Sequence, residues 1–234
     1  MIILLYHHIS RISPGTIIRG LYTTPNRFRW QINWLLSHGY TFTTFEKSDP
    51  GKVVDQSSKE VILTFDDGSV SVFKNGFPIL DKLGIPAVVF PITSLIARQN
   101  AIIPSNSDRT PRSFLDVKQI RELADAGWEI GSHLQTHKPV TSLSDTELSM
   151  ELAQSKVILE EICRKPVITV AYPYGIYDER TLKLAADNGY RFGLTTDHPS
   201  IGFNPLFQLQ RIAVKGARWY HRYYFLQLLG KQEH

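Results

Sequence analysis

Along the chain, short runs of consecutive apolar residues alternate with longer stretches in which apolar positions recur every three or four residues. The short runs at 2–6, 41–45, 61–65, 87–90, 128–130, 167–171, 192–195 and 211–214 predict strands. The helical stretches are bounded by cap residues. Thr24 precedes Pro25, and Gly39 closes 25–38. Gly84 stops 75–83, and Gly189 ends 178–188. Ser113 with Asp116 predicts a capping box for 113–126, closed by Gly127, and Ser144 with Glu147 opens 144–162. Strands alternating with helices predict parallel βα units and an α/β fold. A closed or nearly closed barrel fits this count better than an open sheet. In such barrels reactive residues sit where strands end and βα loops begin. The alternation breaks at 96–113, where Pro104, Asn106, Asp108 and Pro111 mark a long polar loop, either a cover for a site or a plain surface insertion.

Composition narrows the class. The 234 residues, 42% hydrophobic and 21% charged, fit one soluble domain over 1–234 and exclude wholesale disorder, collagen and coiled coil. No apolar run approaches the roughly 20 residues that span a bilayer. Residues 2–6 are too short for a signal-peptide core and lack a basic leader. The chain therefore reads as cytoplasmic as written, or extracytoplasmic if a leader was removed. The net charge of +4 is spread without a block of like charge, so no nucleic-acid partner is expected. The single cysteine, Cys163, forms no internal disulfide and reads as a small buried side chain. Trp30 and Trp34, one helical turn apart, read as core. The aromatic and basic stretch 218–229 reads as closing one end of the barrel, or as an amphipathic helix that docks on a membrane face or a partner.

Four residue groups carry candidate chemistry, and each follows a predicted strand. Thr64-Phe65-Asp66-Asp67-Gly68 puts two adjacent carboxylates at a strand end, which is costly if both are buried and unpaired. A bound cation relieves that repulsion; a solvated Asp-Asp-Gly turn is the competing explanation. Ser132-His133-Leu134-Gln135-Thr136-His137 carries two histidines four apart, a spacing that points both the same way on a helical turn. Tyr172-Pro173-Tyr174-Gly175 predicts a rigid turn that can aim an amide N–H at a developing oxyanion. Tyr6-His7-His8 offers an imidazole as proton donor. Together, one carboxylate and two imidazoles make a three-ligand metal site with an open position, and a second carboxylate is left to act as base.

The order Thr-Phe-Asp-Asp-Gly, Ser-His-x-x-x-His, Tyr-Pro-Tyr-Gly resembles the polysaccharide deacetylases, carbohydrate esterase family four or NodB homology domain. The opening Tyr-His-His-Ile is similar to the branch that de-N-acetylates poly-β-1,6-N-acetylglucosamine. The resemblance covers residues 2 to about 214. It implies a distorted (β/α) barrel, here of about seven to eight parallel strands. It implies Asp66 as catalytic base and Asp67, His133 and His137 as ligands of one divalent metal, zinc foremost, with cobalt or nickel as alternatives. It further implies Tyr174 as the oxyanion N–H, beside Pro173, and His7, with His8 in reserve, as general acid. Many members carry an arginine two residues before the proline, where this chain has Ala171. Arg211 is a candidate to hold Asp66 instead, and Asp197 a candidate for the site's edge. The expected substrate is an N-acetylated oligo- or polysaccharide. The alternatives are a small lipid- or nucleotide-linked amino sugar, a non-sugar amide or ester, or a carbohydrate-binding protein that has lost the chemistry.

Overall fold

The computed structural model describes residues 1–12, 16–53, 58–103, 109–196, 204–214, 225–227 and 229. Asp197 and most of 218–229 lie outside them.

In chain order the elements are β1 (Ile2–Tyr6), β2 (His8–Ile9), β3 (Tyr22–Thr23), α1 (Pro25–Ser37), β4 (Thr41–Thr43), α2 (Pro50–Val53), β5 (Glu60–Asp67), α3 (Phe77–Asp81), β6 (Val88–Pro91), α4 (Val117–Asp125), β7 (Glu129–Ile130), α5 (Asp145–Cys163), β8 (Thr169–Ala171), α6 (Glu179–Asp187), β9 (Phe192–Thr195), β10 (Leu209–Gln210) and β11 (Ile212–Ala213). One sheet runs β11-β1-β5-β6-β7, and a second runs β10-β9-β8. A parallel bridge between Ser132 and Val170 joins them. The ladders within both sheets are parallel. The series therefore turns through eight strands from β11 to β10, which follow one another in the chain around Arg211. This is the distorted (β/α) barrel that the family resemblance implies, and it agrees with the closed or nearly closed barrel that the pattern favours.

Successive residues of a strand point to opposite faces, and the core divides accordingly. Ile2, Leu4, Val61, Leu63 and Val89 join the cluster that holds the helices' apolar sides. Ile3, Ile62, Val88, Phe90, Phe192 and Leu194 form a second cluster, filling the barrel interior. Trp30 and Trp34 of α1 pack half-buried against Phe225, and Cys163 is buried at the end of α5, as expected. Near the start of β7 the buried Glu129 accepts the Glu46 N–H at 2.9 Å and the Thr169 hydroxyl at 3.0 Å, tying the β4–α2 connection to the barrel.

Two local expectations change. Asp116, not Ser113, is the N-cap of α4: its carboxylate accepts from Gln119 N–H, and the Gln119 side chain answers at the Asp116 N–H. The helical turn before α3 begins at Val72, a wide turn at Val72–Gly76 that continues into α3.

Candidate active site

The site lies at the C-terminal ends of the parallel strands. β5 runs through both motif carboxylates, and Asp66 and Asp67 pair with Phe90 and Pro91 of β6. Asp67 takes a left-handed backbone, φ 70°, and so does Gly68, φ 72°. Any Cβ at Gly68 would stand 2.9 Å from Pro91 Cα, so this turn needs glycine. The register Tyr6–Phe65 between β1 and β5 brings His7 level with Asp66.

Both carboxylates are buried, and so are His133 and His137. The Nε2 atoms of His133 and His137 stand 3.6 and 3.7 Å from the same oxygen, Asp67 Oδ1. The three ligand atoms lie within 4.8 Å of one another. Nδ1 of His133 is 2.7 Å from the Ala171 carbonyl. A carbonyl only accepts, so Nδ1 carries the proton and Nε2 presents its lone pair toward Asp67. One carboxylate oxygen and two imidazole nitrogens converging in a buried pocket are a donor set able to hold a divalent metal. The two histidines do not ride a helical turn: Leu134 and His137 are both left-handed, at φ 61°, and the loop itself aims the rings.

Arg211, 2% exposed between β10 and β11, donates from Nη1 and Nη2 to the two oxygens of Asp66, each at 2.7 Å. Its Nε reaches the Thr195 carbonyl at 3.3 Å. Burial acts to raise the Asp66 carboxyl. The Arg211 guanidinium outweighs it, with help from His133 and His7, and holds that carboxyl well below the ordinary carboxylate range. Burial likewise opposes ionisation of Asp67, and His7, His137 and His133 reverse the effect and lower it. Burial lowers the half-buried His7 imidazole, against the pull of Asp67 and Asp66.

These groups line one cavity of about 290 Å³, near the small end of ligand pockets. His7, Asp66, Asp67, His133, His137 and Arg211 all face it. Tyr174 faces it too, 39% exposed and left-handed at φ 62° in the turn after β8, with its ring 4.8 Å from that of His137. Pro173 is buried and outside the cavity lining, so it shapes the turn instead of touching a ligand. His8 is also outside the lining: it is buried against the Tyr22 ring, centroids 4.6 Å apart. The cavity is also lined by apolar Ile18, Leu21 and Ile103 and by cationic Arg112, none of which the sequence marks as site residues. Ile103 and Arg112 come from the 96–113 loop, whose polar composition fits a cover and a plain surface insertion alike and does not single out these two side chains.

Comparison with known proteins agrees with this architecture. Residues 53–193 match the polysaccharide deacetylase family. The Bacillus subtilis protein YxkH is 30% identical over 197 residues, covering 83% of this chain and 64% of its own length. The chain thus spans just under two thirds of that relative. The poly-beta-1,6-N-acetyl-D-glucosamine N-deacetylase of Staphylococcus epidermidis is 28% identical over 208 residues, covering 82% of this chain and 68% of its own. The Streptococcus pyogenes deacetylase PplD, solved in complex with acetate, superposes with TM-score 0.79 at 26% identity, covering 98% of this chain and 97% of that one. With more than half its length matched and its motif residues gathered in one cavity, the chain belongs to the polysaccharide deacetylase family.

Proposed function

We propose that the chain is a metal-dependent de-N-acetylase that releases acetate from N-acetylated amino sugars of an oligo- or polysaccharide. One observation carries the reading: Asp67, His133 and His137 converge as ligands, while the adjacent Asp66, its Oδ2 3.9 Å from His133 Nε2, has both oxygens tied to Arg211. The Staphylococcus epidermidis relative, named for poly-β-1,6-N-acetylglucosamine, supports that polymer as substrate class.

Zinc is the first choice for a His₂Asp set, and cobalt or nickel are accepted by the same donors. A bound Zn²⁺ supplies Lewis acidity, lowering the pKa of water from 15.7 toward about 7. The chain's own groups do the rest. Asp66 takes a proton from the water that attacks the acetamide carbon. The Tyr174 N–H, in its left-handed turn, meets the oxygen that becomes anionic. As the C–N bond breaks, His7 passes a proton to the departing sugar nitrogen, which leaves as an amine with acetate as co-product. An amine leaves poorly without that proton, so the reaction needs a donor opposite the base. His7 fits the role better than His8, because it faces the cavity and His8 does not.

Acetate release from β-1,6- and β-1,4-linked N-acetylglucosamine oligomers tests the proposal. Faster release from the β-1,6 series supports the polymer named for the relative. Release from neither, with metal bound, rejects the polysaccharide substrate.

A further inference from the structure

We infer that Glu151, on α5 and outside the cavity, is a positioning residue that sets the second histidine of the site. The inference rests on the reading that Asp67, His133 and His137 hold a metal. The two histidines are oriented by different means. The His133 ring is keyed directly by the Ala171 carbonyl. The buried Nδ1 of His137 has no hydrogen-bond partner among the described residues, so its aim depends on the backbone that carries it. That backbone is left-handed at Leu134 and at His137, conformations that residues with a side chain hold only where the surroundings enforce them.

Glu151 supplies the enforcement. It is 8% exposed, and its Oε2 accepts the backbone N–H of Gln135 and of Thr136, each at 2.8 Å. Its Oε1 accepts the Thr136 hydroxyl at 2.5 Å. Three donors from the two residues just before His137 therefore end on one carboxylate. The carbonyls of Leu134 and Gln135 are taken by the N–H groups of Thr93 and Ser94, so the loop is held from both sides. One helical turn further along α5, Ser155 meets Ser132 at 2.6 Å, and Ser132 accepts the Leu134 N–H at 3.1 Å. α5 thus presses Glu151 against the His137 end of the loop and Ser155 against the His133 end.

The test is Zn²⁺ affinity, measured by competition with a chromophoric chelator on the full chain, together with the Co²⁺ absorption spectrum and the melting temperature of the metal-free protein. Glu151→Ala is expected to weaken Zn²⁺ binding about 10- to 100-fold, the usual effect of losing a group that orients a metal ligand, and to shift the Co²⁺ bands. Glu151→Gln keeps the geometry, with its carbonyl oxygen taking both N–H groups and its amide donating to the Thr136 hydroxyl, and is expected to bind close to the parent. A folded Glu151→Ala chain with parental affinity and an unchanged Co²⁺ spectrum overturns the inference, whatever its melting temperature. If Glu151→Ala does not fold, Thr136→Val decides: weaker binding supports the inference and unchanged binding overturns it. A parent chain that takes up no Zn²⁺ overturns the metal reading itself, which separates the two failures.

Discussion

Arg211 and Asp66, 145 positions apart in the chain, meet as a two-pronged ion pair with both N···O distances at 2.7 Å. Both side chains are buried. The two N–H···O bonds to separate oxygens fix the Asp66 side chain in direction as well as in charge. Asp66 can therefore stay ionised beside Asp67 at the bottom of a cavity. Removing one partner of such a pair leaves a buried charge alone, which costs about 3–5 kcal/mol. Arg211→Met should lose that much stability in urea denaturation. The double change with Asp66→Asn should recover part of it, because no orphaned charge remains. A double variant no more stable than Arg211→Met would show that the pair is not coupled.

The two carboxylates should separate by function. Asp66→Asn is expected to keep Zn²⁺ affinity while turnover falls about 10²- to 10⁴-fold, the usual worth of a general base. Asp67→Asn is expected to lose metal affinity, since Asp67 Oδ1 is the point on which both imidazoles converge. Equilibrium dialysis and acetate release on the same preparations check both halves. Full turnover in Asp66→Asn would remove it from the role of base.

His7 and His8 should separate by substrate. His7→Ala should lower amide turnover about 10²-fold or more, because the amine needs a proton to depart. The loss should be much smaller with 4-nitrophenyl acetate, whose leaving group departs without one. His8, packed on Tyr22 away from the cavity, should act on stability and leave the amide-to-ester ratio unmoved. Equal amide and ester losses in His7→Ala would count against a proton-donor role.

Glu129 predicts a pH dependence of stability. Burial pushes its carboxyl up to about 7 from an ordinary 4.5, although the Glu46 N–H and the Thr169 hydroxyl favour the charged form. Between those values the folded chain holds a proton that the unfolded chain has released. The contribution is therefore full below about pH 4.5 and is lost as pH rises through about 7, a swing on the order of 3 kcal/mol. Glu129→Gln can keep the same contacts without a titrating group. Its urea midpoint should vary less over this range and should exceed the parent's at pH 8. Parallel midpoint curves for the two proteins would contradict the assignment.

The parts of the site that follow a long apolar strand were legible in the sequence. β5, eight residues long and buried along most of its length, reads as a nearly unbroken apolar run, so its C-terminal end with Asp66 and Asp67 stands out. His133 and Tyr174 instead follow the two- and three-residue strands β7 and β8 and were legible from the motifs that carry them. The partner of Asp66 was far less visible. β10 and β11 are two residues each and flank Arg211, too short to show a period. The spacing of His133 and His137 suits a helical turn, and spacing alone cannot show the left-handed backbone at Leu134 and His137 that aims the rings instead. Ser113 and Asp116 both suit an N-cap, and only Asp116 has the Gln119 side chain returning to its own N–H. The apolar wall of the cavity comes from residues that look like ordinary loop or core positions until the barrel brings them together.

The most direct test of the account is acetate release from N-acetylglucosamine oligomers by chelator-stripped protein titrated with Zn²⁺, run beside His133→Ala. The account predicts no release from the stripped chain, full release at one Zn²⁺ per chain, and a lost response to Zn²⁺ in His133→Ala. Equal release with and without metal, or a Zn²⁺-loaded chain that releases no acetate from any oligomer, would contradict it.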